Sequence, residues 1–190
     1  MDTRKLTKRL ITAHFPDGTD YTTLLRVSLV NIICLSTITV LLGFTISNFV
    51  RGIYLFSFID GAMAVVLFTA LALMWVQKKL SISVAIICSS TFFISLYLLF
   101  HGGSDGTGHT WSLVQPVIMI FLLGFRRGLF FSVLFFIIAA TGLLVPGNPL
   151  LVHDYSAGFT GDYLSALAVI TLVSAFYEIS RLHSQKEIAT

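Results

Sequence analysis

The hydrophobic positions of the chain fall into six long runs, which short polar or glycine-containing segments separate. The runs cover residues 27–49, 54–76, 82–100, 111–125, 129–145 and 163–179. A helix of about 20 consecutive apolar residues crosses a bilayer, and it satisfies its own backbone hydrogen bonds there. The pattern therefore predicts an all-α membrane protein, a bundle of six transmembrane helices.

The run at residues 111–125 differs from the others in length and content. As a helix it would extend only about 22 Å, which is less than a hydrocarbon core of about 30 Å. It also contains Gln115 and Pro116, and a proline leaves a carbonyl of the preceding turn without its helical donor. We therefore expect a kinked helix that leaves a depression open towards the outer side of the membrane.

Charged residues are few and follow an alternating pattern. Only 11% of residues are charged and 56% are hydrophobic, with a mean hydropathy of +0.90, whereas soluble domains carry about a quarter charged residues. Every second polar segment is basic, and these segments contain Arg4, Lys5, Lys8, Arg9, Lys78, Lys79, Arg126, Arg127, Arg181 and Lys186. Basic loops remain in the cytoplasm, so both termini are predicted to be cytoplasmic.

The charge also indicates which partners to expect. The formal net charge of +3 is divided among these loops and forms no basic stripe, so we expect the lipid bilayer as a partner and no nucleic acid. Cys34 and Cys88 both lie within apolar runs, where a cysteine usually packs as a small hydrophobic residue.

Three regions follow from the pattern. Residues 1–18 are a basic cytoplasmic segment and turn, which suits either a short amphipathic helix at the inner interface or a disordered tail. Residues 19–180 are predicted to form the six-helix domain, and residues 181–190 to extend the last helix as a polar tail. Residues 124–128 are expected to be a tight turn, and residues 146–162 an outer loop.

The polar side chains that could carry chemistry lie on the predicted outer side. They are His101, Asp105, His109, His153, Asp154 and Asp162. Such groups can bind a metal ion, but their spacing matches no known closed site, so we expect no metal and no cofactor. His153, Asp154 and Asp162 are expected to be ordinary loop residues that face water.

Two further residues allow two interpretations each. Asp60 lies inside an apolar run, where a carboxylate is costly and often marks a site, although it could also reach the headgroup layer or cap a helix. Trp111 suits either the aromatic belt of the interface or the cover of a ligand pocket. Gln115 offers both a donor and an acceptor at depth.

The predicted ligand-binding residues share a position at or just below the outer mouth. They are Asp60, Tyr97, His101, Asp105, His109, Trp111, Gln115 and Pro116.

Catalytic motifs of membrane enzymes do not fit the chain. The segment Gly102-Gly103-Ser104-Asp105 is similar to the G-x-S motif of rhomboid proteases, but that chemistry also needs a histidine in the last helix, and residues 163–179 contain none. Residues 159–162 lack the first glycine of the presenilin-type G-x-G-D motif, and H-E-x-x-H is absent. We therefore expect a protein without enzymatic activity of its own.

An ordered set of residues resembles one known family. It consists of Gly102-Gly103-x-Asp105-Gly106-Thr107-Gly108, then Trp111, then Pro116, then Gly124-x-x-Arg127-Gly128. This set resembles the six-helix membrane-associated sensor domains that precede GGDEF (diguanylate cyclase) or histidine kinase output modules in bacteria. Tyr177-Glu178-x-x-Arg181 followed by residues 184–187 is similar to the linker helix in front of a GGDEF domain.

The resemblance implies a receptor module in a bacterial inner membrane. It would bind a small molecule or lipid in an outward-opening pocket, and Glu178 and Arg181 would take part in signalling through the last helix to an output domain, with a homodimer as the working form. Residues of a GGDEF or kinase domain are absent from this chain. Two alternatives remain open: a small transporter or channel lined by Asp60 and the hydroxyl residues of the first run, and a passive anchor.

Overall fold

The computed structural model of the protein describes residues 21–103, 106–145, 148–153 and 155–189, with the helical backbone alone at residues 21–22 and 185–189. The predicted basic segment at residues 1–18 lies outside the described residues, as do Asp105 and Asp154. All regular structure in the described part is helical, and that part contains no strand.

Seven helices follow one another along the described residues. They are α1 (Tyr21–Val50), α2 (Tyr54–Gln77), α3 (Leu80–His101), α4 (Gly108–Ser112), α5 (Gln115–Leu123), α6 (Phe125–Leu144) and α7 (Ala157–Ala189). Five of them, α1, α2, α3, α6 and α7, are long and apolar enough to cross a membrane. The prediction of an all-α membrane protein is confirmed.

The fourth apolar run forms two short helices instead of one. Helices α4 and α5 together cover Gly108–Leu123, and the chain is not helical between Ser112 and Gln115. The expected break is therefore present, just before Pro116. Whether this segment crosses the bilayer as a sixth span stays a prediction.

Two boundaries differ from those expected. The predicted outer loop at residues 146–162 is shorter, because α7 begins at Ala157, where the backbone N–H of Phe159 donates to Ser156 Oγ at 3.2 Å as in an N-cap. The predicted turn at residues 124–128 narrows to Gly124, with φ 80° and ψ 170°, and the helix resumes at Phe125. The earlier start of α7 arises because Ser156 offers a partner to a terminal N–H group of the helix.

The first of two compact units comprises the chain up to Ser90. In it, α1 and α2 form an antiparallel pair, which two side-chain bonds hold together at opposite ends. Trp75 Nε1 donates to Asn31 Oδ1 at 2.8 Å, and Asn48 Nδ2 donates to Asp60 Oδ2 at 2.9 Å. The buried apolar residues of these two helices include Val27, Val30, Cys34, Leu67, Leu71 and Met74.

The second unit comprises the chain from Thr91 onwards. Helices α5 and α6 fold back on each other at Gly124, and α7 packs against both. The hydroxyls of Ser112 and Tyr163 meet at 2.6 Å, and the rings of Phe121 and Tyr177 lie 5.4 Å apart. Segment α4–α5 therefore runs in the same direction as α7.

Candidate functional site

A glycine-rich loop, which we define by Gly102, Gly103, Gly106 and Gly108, lies at one end of the second unit. Gly102, Gly103 and Gly106 have φ of 77°, 64° and 76°, a region that only glycine adopts at low cost. The N–H of Gly108 donates to the carbonyl of Gly102 at 2.8 Å and closes the loop. The ring of His153 covers the loop so closely that a Cβ on Gly102 would overlap it.

The segment before α7 is fixed against the end of α3. The backbone N–H groups of Val152 and His153 both donate to the carbonyl of Phe100, at 2.9 and 3.2 Å. Tyr155 Oη donates to the carbonyl of Leu99 at 2.8 Å. Partial burial raises the pKa of the Tyr155 phenol to about 12, so this hydroxyl keeps the proton that it donates at neutral pH.

Four rings form what we name the aromatic cluster: His109, Tyr155, Phe159 and Tyr163. The rings of Tyr155 and Phe159 stack at 4.4 Å, and Tyr163 continues the series 6.0 Å from Phe159. The His109 ring stands perpendicular to this stack and lies 4.6 Å from Phe159. Its Nδ1 lies 3.0 Å from the carbonyl of Gly106, which requires a proton on Nδ1.

A chain of hydroxyl groups links this cluster to α4. Ser112 is fully buried, and its Oγ donates to the carbonyl of His109 at 2.5 Å. Because serine has a single proton, Tyr163 must supply the hydrogen for the 2.6 Å contact between the two hydroxyls. The order is thus Tyr163 to Ser112 to the backbone of His109, and it joins the loop end of the unit to α7.

The break between α4 and α5 contains an incompletely bonded amide. Gln115 is 1% exposed, and its Oε1 accepts only a long bond of 3.5 Å from Ser95 Oγ. Its Nε2 has no hydrogen-bond partner among the described residues. Pro116 has no N–H, so it cannot donate to the carbonyl of Ser112, and the backbone here lacks one helical bond.

The other end of α7 carries a buried ion pair. Arg181 Nη2 donates to Glu178 Oε1 at 2.7 Å, with the side chains 19% and 1% exposed. Arg181 Nε is also buried. A charge in such a position needs its partner, because desolvation is costly.

A comparison with protein families decides the identity of the chain. The family model MASE6 matches residues 19–188. The chain belongs to the MASE6 family. MASE domains are membrane-associated sensor domains, so the resemblance in the sequence is confirmed at this level, and the MASE6 domain is a sensor and not a catalytic domain. No curated protein and no solved structure matches the chain.

The predicted ligand-binding residues lie at several separate places in the MASE6 domain. His109 joins the aromatic cluster, and Gln115 lies at the helix break beside Pro116, which is buried. His101 is exposed and stacks on Tyr97, with ring centroids 4.2 Å apart. Trp111 is 45% exposed.

Asp60 lies in the first unit, where it accepts the bond from Asn48. Hydroxyl groups that could have lined a path in a transporter instead bond within their own helix, as Ser28 does to Leu24 and Thr39 to Leu35. Thr45 also bonds within α1, to Leu41, while its carbonyl accepts from Ser57 of α2. The bonds of Asn48 and of the Thr45 carbonyl join α1 to α2, whereas the bonds of these three hydroxyl groups lie within α1.

Several residues of the site are not among the ligand-binding residues predicted from the sequence. We expected His153 to face water, but it is half-buried against Gly102 and Gly106, because these two glycines have no Cβ and leave a surface that a ring can cover. Asp162 is exposed, as expected, although it lies within α7. Phe159 and Tyr163 share one face of α7 by their spacing of four, and Tyr155 precedes Phe159 by the same interval just before the helix begins, a signal that could have revealed the aromatic stack.

Proposed function

We propose that this MASE6 domain receives a small molecule or lipid at the loop end of its second unit and passes the signal along α7 to an output domain. The observation that carries the proposal is the bond between Ser112 and Tyr163. Through it, α7 takes part in the site at one end, while Glu178 lies about 22 Å along the same helix. A displacement of α4 would therefore move the start of α7 through this bond.

Helix α7 is suited to act as a lever. It contains no glycine or proline after Gly161, so nothing interrupts its backbone bonds on the way to Ala189. A ligand shifts such a helix only if it binds two arrangements of the site with different affinity. The aromatic cluster supplies a place where these arrangements could differ, because His109 meets Phe159 and Tyr163 of α7 edge to face, with ring centroids 4.6 and 6.4 Å apart.

The sequence suggests the orientation and the partners. The basic segments favour cytoplasmic termini in a bacterial inner membrane, and the resemblance favours a diguanylate cyclase as the output domain, with a histidine kinase as the alternative. Ile179 and Leu182 are 46% and 39% exposed where α7 becomes polar. They are available for contact with the same helix of a second copy, as expected for a homodimer.

The test is a fusion of the chain to a diguanylate cyclase catalytic domain, with cellular cyclic di-GMP as the readout. Tyr163→Phe removes the hydroxyl that bonds Ser112 and leaves the ring in place, so we expect a changed basal output at unchanged membrane abundance. Tyr54→Phe is the matched control, because Tyr54 is exposed in the first unit. Equal output from both variants and the parent, or full signalling after replacement of the second unit by unrelated spans, would contradict the proposal.

A further inference from the structure

The amide of Gln115 lacks a partner for its donor group inside the second unit. The side chain is 1% exposed, and Nε2 has no hydrogen-bond partner in the described part of the chain. The bond that Oε1 accepts from Ser95 is 3.5 Å long, at the limit of a useful hydrogen bond. Buried N–H groups are nearly always bonded, so the missing acceptor requires an explanation.

The surroundings restrict what this acceptor can be. Met119 and Leu99 lie one turn beyond Gln115 and Ser95 on the same helices, and both are at most 2% exposed. Because these two neighbours are apolar and buried, an ionised ligand beside them would need a charged partner there. A neutral oxygen on an apolar molecule fits both the free N–H and its neighbours.

The helix break supplies a way in. Trp111 and Val114 flank the break and are each 45% exposed. Because Pro116 cannot bond to the carbonyl of Ser112, this turn is held by fewer backbone bonds than a continuous helix. A molecule dissolved in the bilayer would thus reach Gln115 by displacing side chains at this turn.

We propose that Gln115 binds a lipid-soluble molecule by donating from Nε2 to a carbonyl oxygen of that molecule. The inference rests on the proposed function and names the ligand chemistry of its site. A membrane quinone and the acyl ester of a lipid share this carbonyl chemistry. Binding beside Ser112, whose hydroxyl bonds Tyr163, would act on the start of α7.

The experiment measures thermal unfolding of the purified full chain in nanodiscs of ether-linked phospholipids, which contain no ester carbonyl. Three probes are added separately: decylubiquinone, methyl palmitate and hexadecane. A ligand that binds only the folded state raises the unfolding temperature. We expect one of the two carbonyl probes to raise it and hexadecane to have no effect, and the effective probe identifies the source.

The decisive variant is Gln115→Leu, which keeps a similar volume and removes the donor. It should bind the effective probe at least about tenfold more weakly, because a buried hydrogen bond to the carbonyl is lost. Gln77→Leu changes an exposed glutamine at the end of α2 and should bind as the parent does. Gln115→Asn keeps the amide and serves as a second variant, with intermediate affinity expected.

Two results would overturn the inference. One is that neither carbonyl probe stabilises the parent protein, which would indicate that water satisfies the amide. The other is that Gln115→Leu binds as tightly as the parent. Neither result bears on the output of the fusion with Tyr163→Phe, so the ligand chemistry and the proposed signalling route can fail separately.

Discussion

The hydroxyl groups of Ser112 and Tyr163 lie 2.6 Å apart in the interior of the second unit, where the two residues are 0% and 4% exposed. They join the last residue of α4 to the second turn of α7. Since both groups are buried and Ser112 Oγ donates to the carbonyl of His109, the Tyr163 hydroxyl donates to Ser112 Oγ. The contact therefore fixes the position of α7 relative to the glycine-rich loop.

The strength of this link can be measured by a double-mutant cycle. Ser112→Ala and Tyr163→Phe should each lower the free energy of unfolding by about 1–2 kcal/mol, because the first leaves the buried Tyr163 hydroxyl without its acceptor and the second removes the bond that Ser112 accepts. The double variant should lose little more than either single one. Chemical denaturation in detergent micelles provides the measurement, with Tyr54→Phe as the control. Strictly additive losses would show that the two hydroxyls do not interact.

The effect of a substitution at Gly102 on stability should depend on His153, whose ring lies against this glycine. Gly102→Ala places a side chain at φ 77° and also against the His153 ring, whereas Gly52→Ala at the same φ meets no atom within 4 Å. The backbone strain alone costs about 1–2 kcal/mol, so Gly102→Ala should be the more destabilising change in thermal unfolding.

Removal of the His153 side chain separates the cost of its overlap with the new Cβ from the cost of the backbone strain at residue 102. In the background of His153→Gly, which removes the ring and also the Cβ 2.9 Å from the added atom, Gly102→Ala should cost no more than Gly52→Ala does, because only the backbone strain remains. An undiminished cost in that background would mean that His153 does not cover the loop as described.

How much the sequence could predict depended on which physical signal each element carries. The long helices were predictable because an apolar run of the length of a bilayer has few other uses. The break before Pro116 was predictable because proline acts through its own backbone. The start of α7 was missed because Gly158 and Gly161 suggest a loop, yet both lie in helix with open space around them.

The arrangement of the site was less predictable than its residue types. His109 and Gln115 carry polar groups that marked them as candidates, but their partners come from segments far away in the chain, such as Ser95 and Phe159. Long-range packing of this kind leaves no local pattern. His153 was misjudged for the same reason, since its environment is made by the glycines of another loop.

Close packing between α5 and α6 depends on Gly128. A Cβ there would overlap the backbone of Ile120, and backbone atoms can give way only if the helices move apart. Gly128→Ala should lower the free energy of unfolding by about 1–3 kcal/mol. Gly43→Ala is the matched control in a helix, where no atom lies within 4 Å, and it should raise stability by about 0.5–1 kcal/mol. Equal effects of the two substitutions in thermal unfolding would contradict the close contact.

Removing one partner of the Glu178–Arg181 ion pair should lower the free energy of unfolding more than removing both. Arg181→Met leaves the Glu178 carboxylate, which is 1% exposed, without the guanidinium 2.7 Å away. We expect a loss of about 3 kcal/mol, the lower end for buried pairs, because Arg181 keeps some contact with solvent. Combining it with Glu178→Gln should recover part of this loss, because the buried charge is then absent. Ser180→Ala, at an exposed position of the same turn, is the control and should change the free energy of unfolding little.

Chemical denaturation measures the free energy of unfolding of each variant, and the cyclase fusion shows whether the output changes with it. If Arg181→Met were no more destabilising than the double variant, the pair would not compensate the burial of Glu178.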